Sequence, residues 1–211
     1  MSILRQLSSQ TGDRTELSNR RVVARCLEDP DLIVDIAAGL KEINLALVAD
    51  CAEVLTHIAE DHPGWIVPYA EDLISLLASE NTHVRWEAMA ALALISSQVP
   101  ATIESLLPRM MQILRTDKSV IVRDHATDAL AGYASTGEKA AEGAFPLLKE
   151  MLSLWYGKQA GHALLGMIQV GRFSPARRPE LRQIAVDFSQ FPRPVVRKAA
   201  RALLKSLDSY S

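Results

Sequence analysis

The sequence predicts an all-α solenoid, a row of helical hairpins stacked one on the next. Three observations carry that prediction. First, a phrase recurs: Thr82-His83-Val84-Arg85-Trp86-Glu87-Ala88-Met89-Ala90-Ala91-Leu92 returns as Ile121-Val122-Arg123-Asp124-His125-Ala126-Thr127-Asp128-Ala129-Leu130, and again as Pro194-Val195-Val196-Arg197-Lys198-Ala199-Ala200-Arg201-Ala202-Leu203-Leu204. Its arginines are 38 and 74 residues apart, one and two units of about 37, a period typical of stacked helical repeats. Second, the apolar residues around each arginine keep helical spacing. Val84, Ala88, Ala91, Leu92 and Ile95 form one stripe, matched by Val122, Ala126, Ala129, Leu130 and Tyr133 and by Val196, Ala200, Leu203, Leu204 and Leu207. Third, Ala and Leu dominate while aromatics are only 5% of the chain, a balance that favours helix over strand.

Each element follows in order. Residues 1–14 carry little patterning and are expected to be flexible. Thr15 to Glu28 reads as a single helix capping the first unit, with Asp29-Pro30-Asp31 ending it. Hairpin units then span about 31–61, 62–99, 100–137, 138–173 and 174–207 of a single 1–211 domain. Pro68, Pro108, Pro146 and Pro179 sit in the first helix of the last four, where a proline either opens a helix or kinks it. Asn81 or Thr82, and Ser119, are placed to cap the second helices. The fourth unit is degenerate: Gly157 or Lys158 stands where the arginine should be, and Gly157, Gly161 and Gly166 predict a bend or loosening there.

Composition narrows the function classes. Apolar residues at 48% suffice for a continuous core. Cys26 and Cys51 are too few for a disulfide framework, and the start of the chain lacks a signal-peptide pattern, so a cytoplasmic location is expected. No apolar run approaches membrane-spanning length, and no membrane partner is expected. The net charge of −2 conceals a split: from Lys158 onward there are ten bases and three acids, whereas the preceding part has thirteen bases and twenty-two acids.

The repeated phrase, the prolines and the turn Asp117 together resemble HEAT repeats of the armadillo-like class; the run Asp117 to Tyr133 is the closest match and units one and four the weakest. The resemblance implies a right-handed α-α superhelix whose second helices line a concave face, and arginines that act structurally across units. On that face the positions outside the apolar stripe include Trp86, Met89, Asp124, Asp128, Lys198, Arg201 and Lys205. These are the expected contacts of a non-enzymatic scaffold or adaptor holding a protein or peptide of complementary charge. Trp155 and Trp65 read as packing residues and Trp86 as a half-exposed anchor.

Catalytic and cofactor signals are missing. There is no HExxH or Cys/His cluster, no GxSxG and no glycine-rich phosphate loop, so no enzyme activity, metal or cofactor is expected. The alternative is nucleic-acid binding through the basic C-terminal region, since some DNA glycosylases are built from similar helical repeats. Against it, the middle of the chain is acidic and has no matching Trp-plus-Asp arrangement.

Overall fold

Position four after each repeated arginine already separates one helix from the others: it is buried at Met89 and Thr127 and exposed at Arg201. The structure, a computed structural model, describes residues 2–13 and 15–209, and among them every regular element is helical. No helix among these residues is long and apolar enough to cross a membrane. Two compact units divide the chain, Met1–Gln98 and Val99–Ser211.

The first unit contains a 3-10 turn (Ile3–Gln6) and helices α1 (Ser8–Thr11), α2 (Leu17–Glu28), α3 (Leu32–Ala38), α4 (Leu45–Asp61), α5 (Pro63–Ile66), α6 (Ala70–Leu76) and α7 (Thr82–Ile95). Helix α4 is buried on nearly all sides, with Val54, Leu55 and Ile58 fully enclosed, because α2 and α7 both pack against it. Asn44 and Asn81 open α4 and α7: each side-chain oxygen accepts a bond from a backbone amide two residues on, at 3.0 and 2.9 Å. The expected stripe of α7 is buried throughout, from Val84 to Ile95.

The N-terminal segment corrects the sequence reading. Residues 2–12 are not loose: Ile3 and Leu7 are buried in the core, and the Ser9 amide donates to Asp50 Oδ2 at 2.7 Å. Met1 and Arg14, also within the span expected to be flexible, lie outside the described residues. Cys26 and Cys51 are free and buried, and burial pushes their thiols up to about 11 and about 12.

The second unit holds α8 (Pro100–Thr116), α9 (Val120–Ala134), α10 (Glu138–Met151), a short turn α11 (Leu154–Gly157), α12 (Ala160–Phe173), α13 (Arg178–Phe188) and α14 (Pro194–Asp208). Helices α9, α12 and α14 lie side by side, with α12 between the other two, while α8, α10 and α13 back them. Ion pairs about one repeat apart tie the backing layer: Arg115 to Glu150 at 2.6 Å, Lys149 to Glu180 at 2.7 Å and Arg177 to Glu142 at 2.6 Å. All are solvent-accessible, so each contributes little to stability. The prolines divide by role: Pro68 lies in a 3-10 turn ahead of α6 and Pro179 in the first turn of α13, whereas Pro108 and Pro146 sit inside α8 and α10.

Gly166 does not loosen the fourth hairpin. A Cβ there would meet Leu148 at 3.0 Å and Ala131 at 3.2 Å, so the glycine is what allows α12 to lie close to α9 and α10. The departure from helix geometry is confined to α11, where Trp155, Tyr156 and Gly157 all adopt the left-handed conformation, with φ of 54°, 58° and 69°.

The repeated arginine secures the turn inside its own hairpin. Arg85 Nη1 donates to the carbonyls of Ser79 and Glu80, Arg197 Nη1 to those of Phe191 and Pro192, and Arg123 Nη1 to that of Asp117. These carbonyls lie in the turn between the two helices of the hairpin, and the guanidinium supplies them with a donor. Arg123 also reaches the next hairpin: its guanidinium lies 4.0 Å from the Trp155 ring centre and its Nε is 3.5 Å from Gln159 Oε1. It is 1% exposed, so Arg123→Ala leaves a cavity and takes the donor from the Asp117 carbonyl. Chemical denaturation of Arg123→Ala should show a loss of about 3 kcal/mol, and Arg85→Ala, whose side chain is half-exposed, a smaller one.

Candidate functional site

The outward faces of α9, α12 and α14 form one groove of about 770 Å³. Helical spacing determines which residues reach it: Val120 and Asp124 from α9, Gly161, His162 and Leu165 from α12, and Val195, Lys198, Ala199 and Ala202 from α14. The small residues Gly161, Ala199 and Ala202 keep the floor low. Lys158 and Arg193 come from the turns, and Tyr156 stands on the rim.

Tyr156 is there because of backbone strain. A left-handed conformation costs a non-glycine residue about 1–2 kcal/mol, and two aromatic residues in succession adopt it here. Their surroundings enforce it. Trp155 Nε1 donates to the Leu114 carbonyl at 2.8 Å, and the Arg123 guanidinium covers its ring. Arg193 Nη1 donates to the carbonyls of Gly157 and Lys158 at 3.2 and 3.1 Å. Trp155 is thereby pinned inward and Tyr156 turned outward, 95% exposed. Strain held in place by so many contacts marks candidate functional positions.

The acidic side of the groove is satisfied internally. Asp124 Oδ1 accepts from Gln159 Nε2 at 3.1 Å, and His162 Nδ1 is 2.7 Å from Asp128 Oδ1. His125 Nδ1 lies 3.9 Å from the other Asp128 oxygen. The basic side is different. Among the described residues Lys158 and Lys198 have no ion-pair partner, and Arg193 spends its contacts on backbone carbonyls. The charge left over in the groove is therefore positive, next to exposed apolar area from Leu165 and Val195.

The expected contact residues separate on this geometry. Asp124 and Lys198 line the groove, and Asp128 orients His162 from beside it. Arg201 and Lys205 are exposed on α14 but are not among its lining residues. Trp86 is half-exposed on α7 in the other unit, tilted against His83 at 5.2 Å. Met89 corrects the reading: it is fully buried and unable to meet a partner. Trp65, read as a packing residue, is instead 36% exposed and stacks on His62. Tyr156 and Leu165 were missed. For Tyr156 the usable signal was an aromatic pair running into Gly157 where a hairpin turn should be.

His162 makes the network testable. The hydrogen bond that its Nδ1 donates to Asp128 raises its pKa above the usual histidine value, outweighing burial. A raised folded-state pKa means the pair contributes fully below about pH 6.5, the unfolded value, and loses its contribution as pH rises through the folded value. An NMR titration should place His162 above 6.5, and Asp128→Asn should bring it down.

Neither a family model nor a curated protein matches the chain. Solved structures do. A designed armadillo repeat protein superposes with a TM-score of 0.73 at 18% identity, covering 97% of this chain and 98% of its own. Another, in complex with the peptide (KR)4, gives 0.74 at 18% identity over 97% and 98%. The HEAT-like repeats protein of the archaeon Thermococcus onnurineus NA1 gives 0.56 at 15% identity over 91% and 93%. With the recurring Val-Arg helices and the hairpin order, these likenesses establish the fold of the chain as a HEAT/armadillo-like all-α repeat solenoid.

Proposed function

We propose that the chain is a non-enzymatic protein-binding scaffold that holds a peptide segment of a partner in the groove of α9, α12 and α14. The observation that carries this reading is the groove itself: about 770 Å³ of open space with a strained, fully displayed tyrosine on its rim and exposed Leu165 and Val195 inside. Concave apolar surface with a few placed polar groups is what a bound side chain needs, and an aromatic anchor is the usual energetic centre of such contacts.

The leftover charge selects the segment. The solved designed protein carries the basic peptide (KR)4, whereas Lys158, Arg193 and Lys198 here favour a segment bearing carboxylates beside apolar side chains. Nucleic acid is the weaker alternative. Exposed leucine and valine inside the groove suit the apolar side chains of a peptide and offer a phosphate backbone nothing.

A displayed random-peptide library panned against the full chain tests the proposal. The expected winners pair Asp or Glu with large apolar residues. Tyr156→Ala should weaken the best of them about tenfold or more, and Lys198→Glu should weaken acidic winners selectively, both without lowering Tm. Failure to enrich any peptide, or winners indifferent to both substitutions, would overturn the reading. Tight, salt-sensitive binding of duplex DNA in the same variants' absence of peptide binding would move the assignment to nucleic acid.

A further inference from the structure

A second cluster, in the first unit, has chemistry of a different kind. Glu16, at the start of α2, and Glu53 and His57, four residues apart on α4, bring one donor atom each to within 4.8 Å of one another. Glu53 is the centre of the set. It is 7% exposed, and its Oε1 has no hydrogen-bond partner among the described residues. A buried carboxylate oxygen left without a donor is costly and uncommon. That orphan oxygen is also the one turned toward His57, whose Nε2 lies 3.9 Å away, too far for a hydrogen bond.

The surrounding contacts hold the donors in position. Asn19 Nδ2 donates to the other Glu53 oxygen at 3.0 Å and to Asp50 Oδ1 at 3.1 Å, while Asn19 Oδ1 accepts from the Ser8 amide at 2.9 Å. On the far side of the imidazole, His57 Nδ1 is 3.3 Å from Glu60 Oε1. A carboxylate at Nδ1 places the proton there and leaves the Nε2 lone pair free, the arrangement that orients histidine ligands at metal centres. Glu87 and Glu16 add negative charge beside the buried Glu53 carboxylate. A bound cation relieves that repulsion and supplies the orphan oxygen with a partner.

We propose that Glu16, Glu53 and His57 form a binding site for one divalent first-row transition cation of the zinc class. One imidazole and two carboxylates suit such an ion better than magnesium, which takes oxygen donors and retains its water. Tetrahedral ligands at zinc are about 3.4 Å apart, so the donors must draw in by up to about 1.4 Å. Glu16 can supply much of that movement, since it is exposed and, among the described residues, its carboxylate pairs with Arg20 at 3.3 Å. The site joins the capping helix α2 to α4, so the cation should also raise the stability of the first unit.

Isothermal titration of the full, chelator-stripped chain with zinc chloride, beside magnesium chloride, tests the site. The expected result is one zinc per chain, no magnesium heat, and a higher Tm with zinc. His57→Ala and the exposed Glu16→Gln should each weaken zinc about tenfold or more, with circular dichroism confirming that both fold, whereas His162→Ala should leave the titration unchanged. Absence of saturable zinc binding would overturn the proposal, as would binding that neither substitution alters. The groove proposal stands or falls separately, since no residue is shared.

Discussion

The structure depends on one packing constraint: second helices must lie against each other closely enough to bury stripes too narrow to be buried any other way. The stripes are built from alanines at the points of approach, Ala88 and Ala91 on α7, Ala126 and Ala129 on α9, Ala163 on α12 and Ala200 on α14, all fully buried. A bulkier residue there would hold neighbouring helices apart and forfeit the dispersion contacts on which a repeat stack relies. No single hairpin could bury its own stripe, so cohesion within each unit comes from neighbours: α4 with α2 and α7, and α12 with α9 and α14.

The groove follows from the same constraint. Helices aligned by one buried face present the opposite face in register, and three such faces make a continuous trough in the second unit. What distinguishes this trough is the break at Trp155–Gly157. The fourth hairpin lacks the turn-stapling arginine, and the work passes to its neighbours: Arg123 clamps Trp155 from the preceding hairpin and Arg193 holds the Gly157 and Lys158 carbonyls from the following one. Degeneracy of the repeat is thus where the surface gains a fully displayed aromatic residue, Tyr156.

How much was legible in the sequence depends on whether the relevant physics was local. The Val-Arg phrase, the stripe at helical spacing and the caps at Asn81 and Ser119 are local, and the structure shows them in place. Asp124 and Lys198 were readable for the same reason: their positions beside the stripe place them outward. Met89 was misread because the stripe width depends on neighbours. The equivalent position is buried again at Thr127 and exposed only at Arg201 on the last helix. The left-handed turn was invisible, since contacts from Leu114, Arg123 and Arg193 decide it, up to 41 residues away in sequence. The Glu16, Glu53 and His57 cluster had a partial signal, a carboxylate and an imidazole four apart on one helix, but its third member comes from another helix.

Native-state hydrogen exchange tests the packing account most directly, because it reports the opening free energy of each helix separately. If cohesion comes from second helices pressed side by side, α12 amides, covered by both α9 and α14, should be the slowest to exchange in the second unit and should approach the global unfolding free energy. The account is contradicted if α12 exchanges as fast as the C-terminal turns of α14, or if the backing helices α8 and α10 remain protected after α9 and α12 have opened.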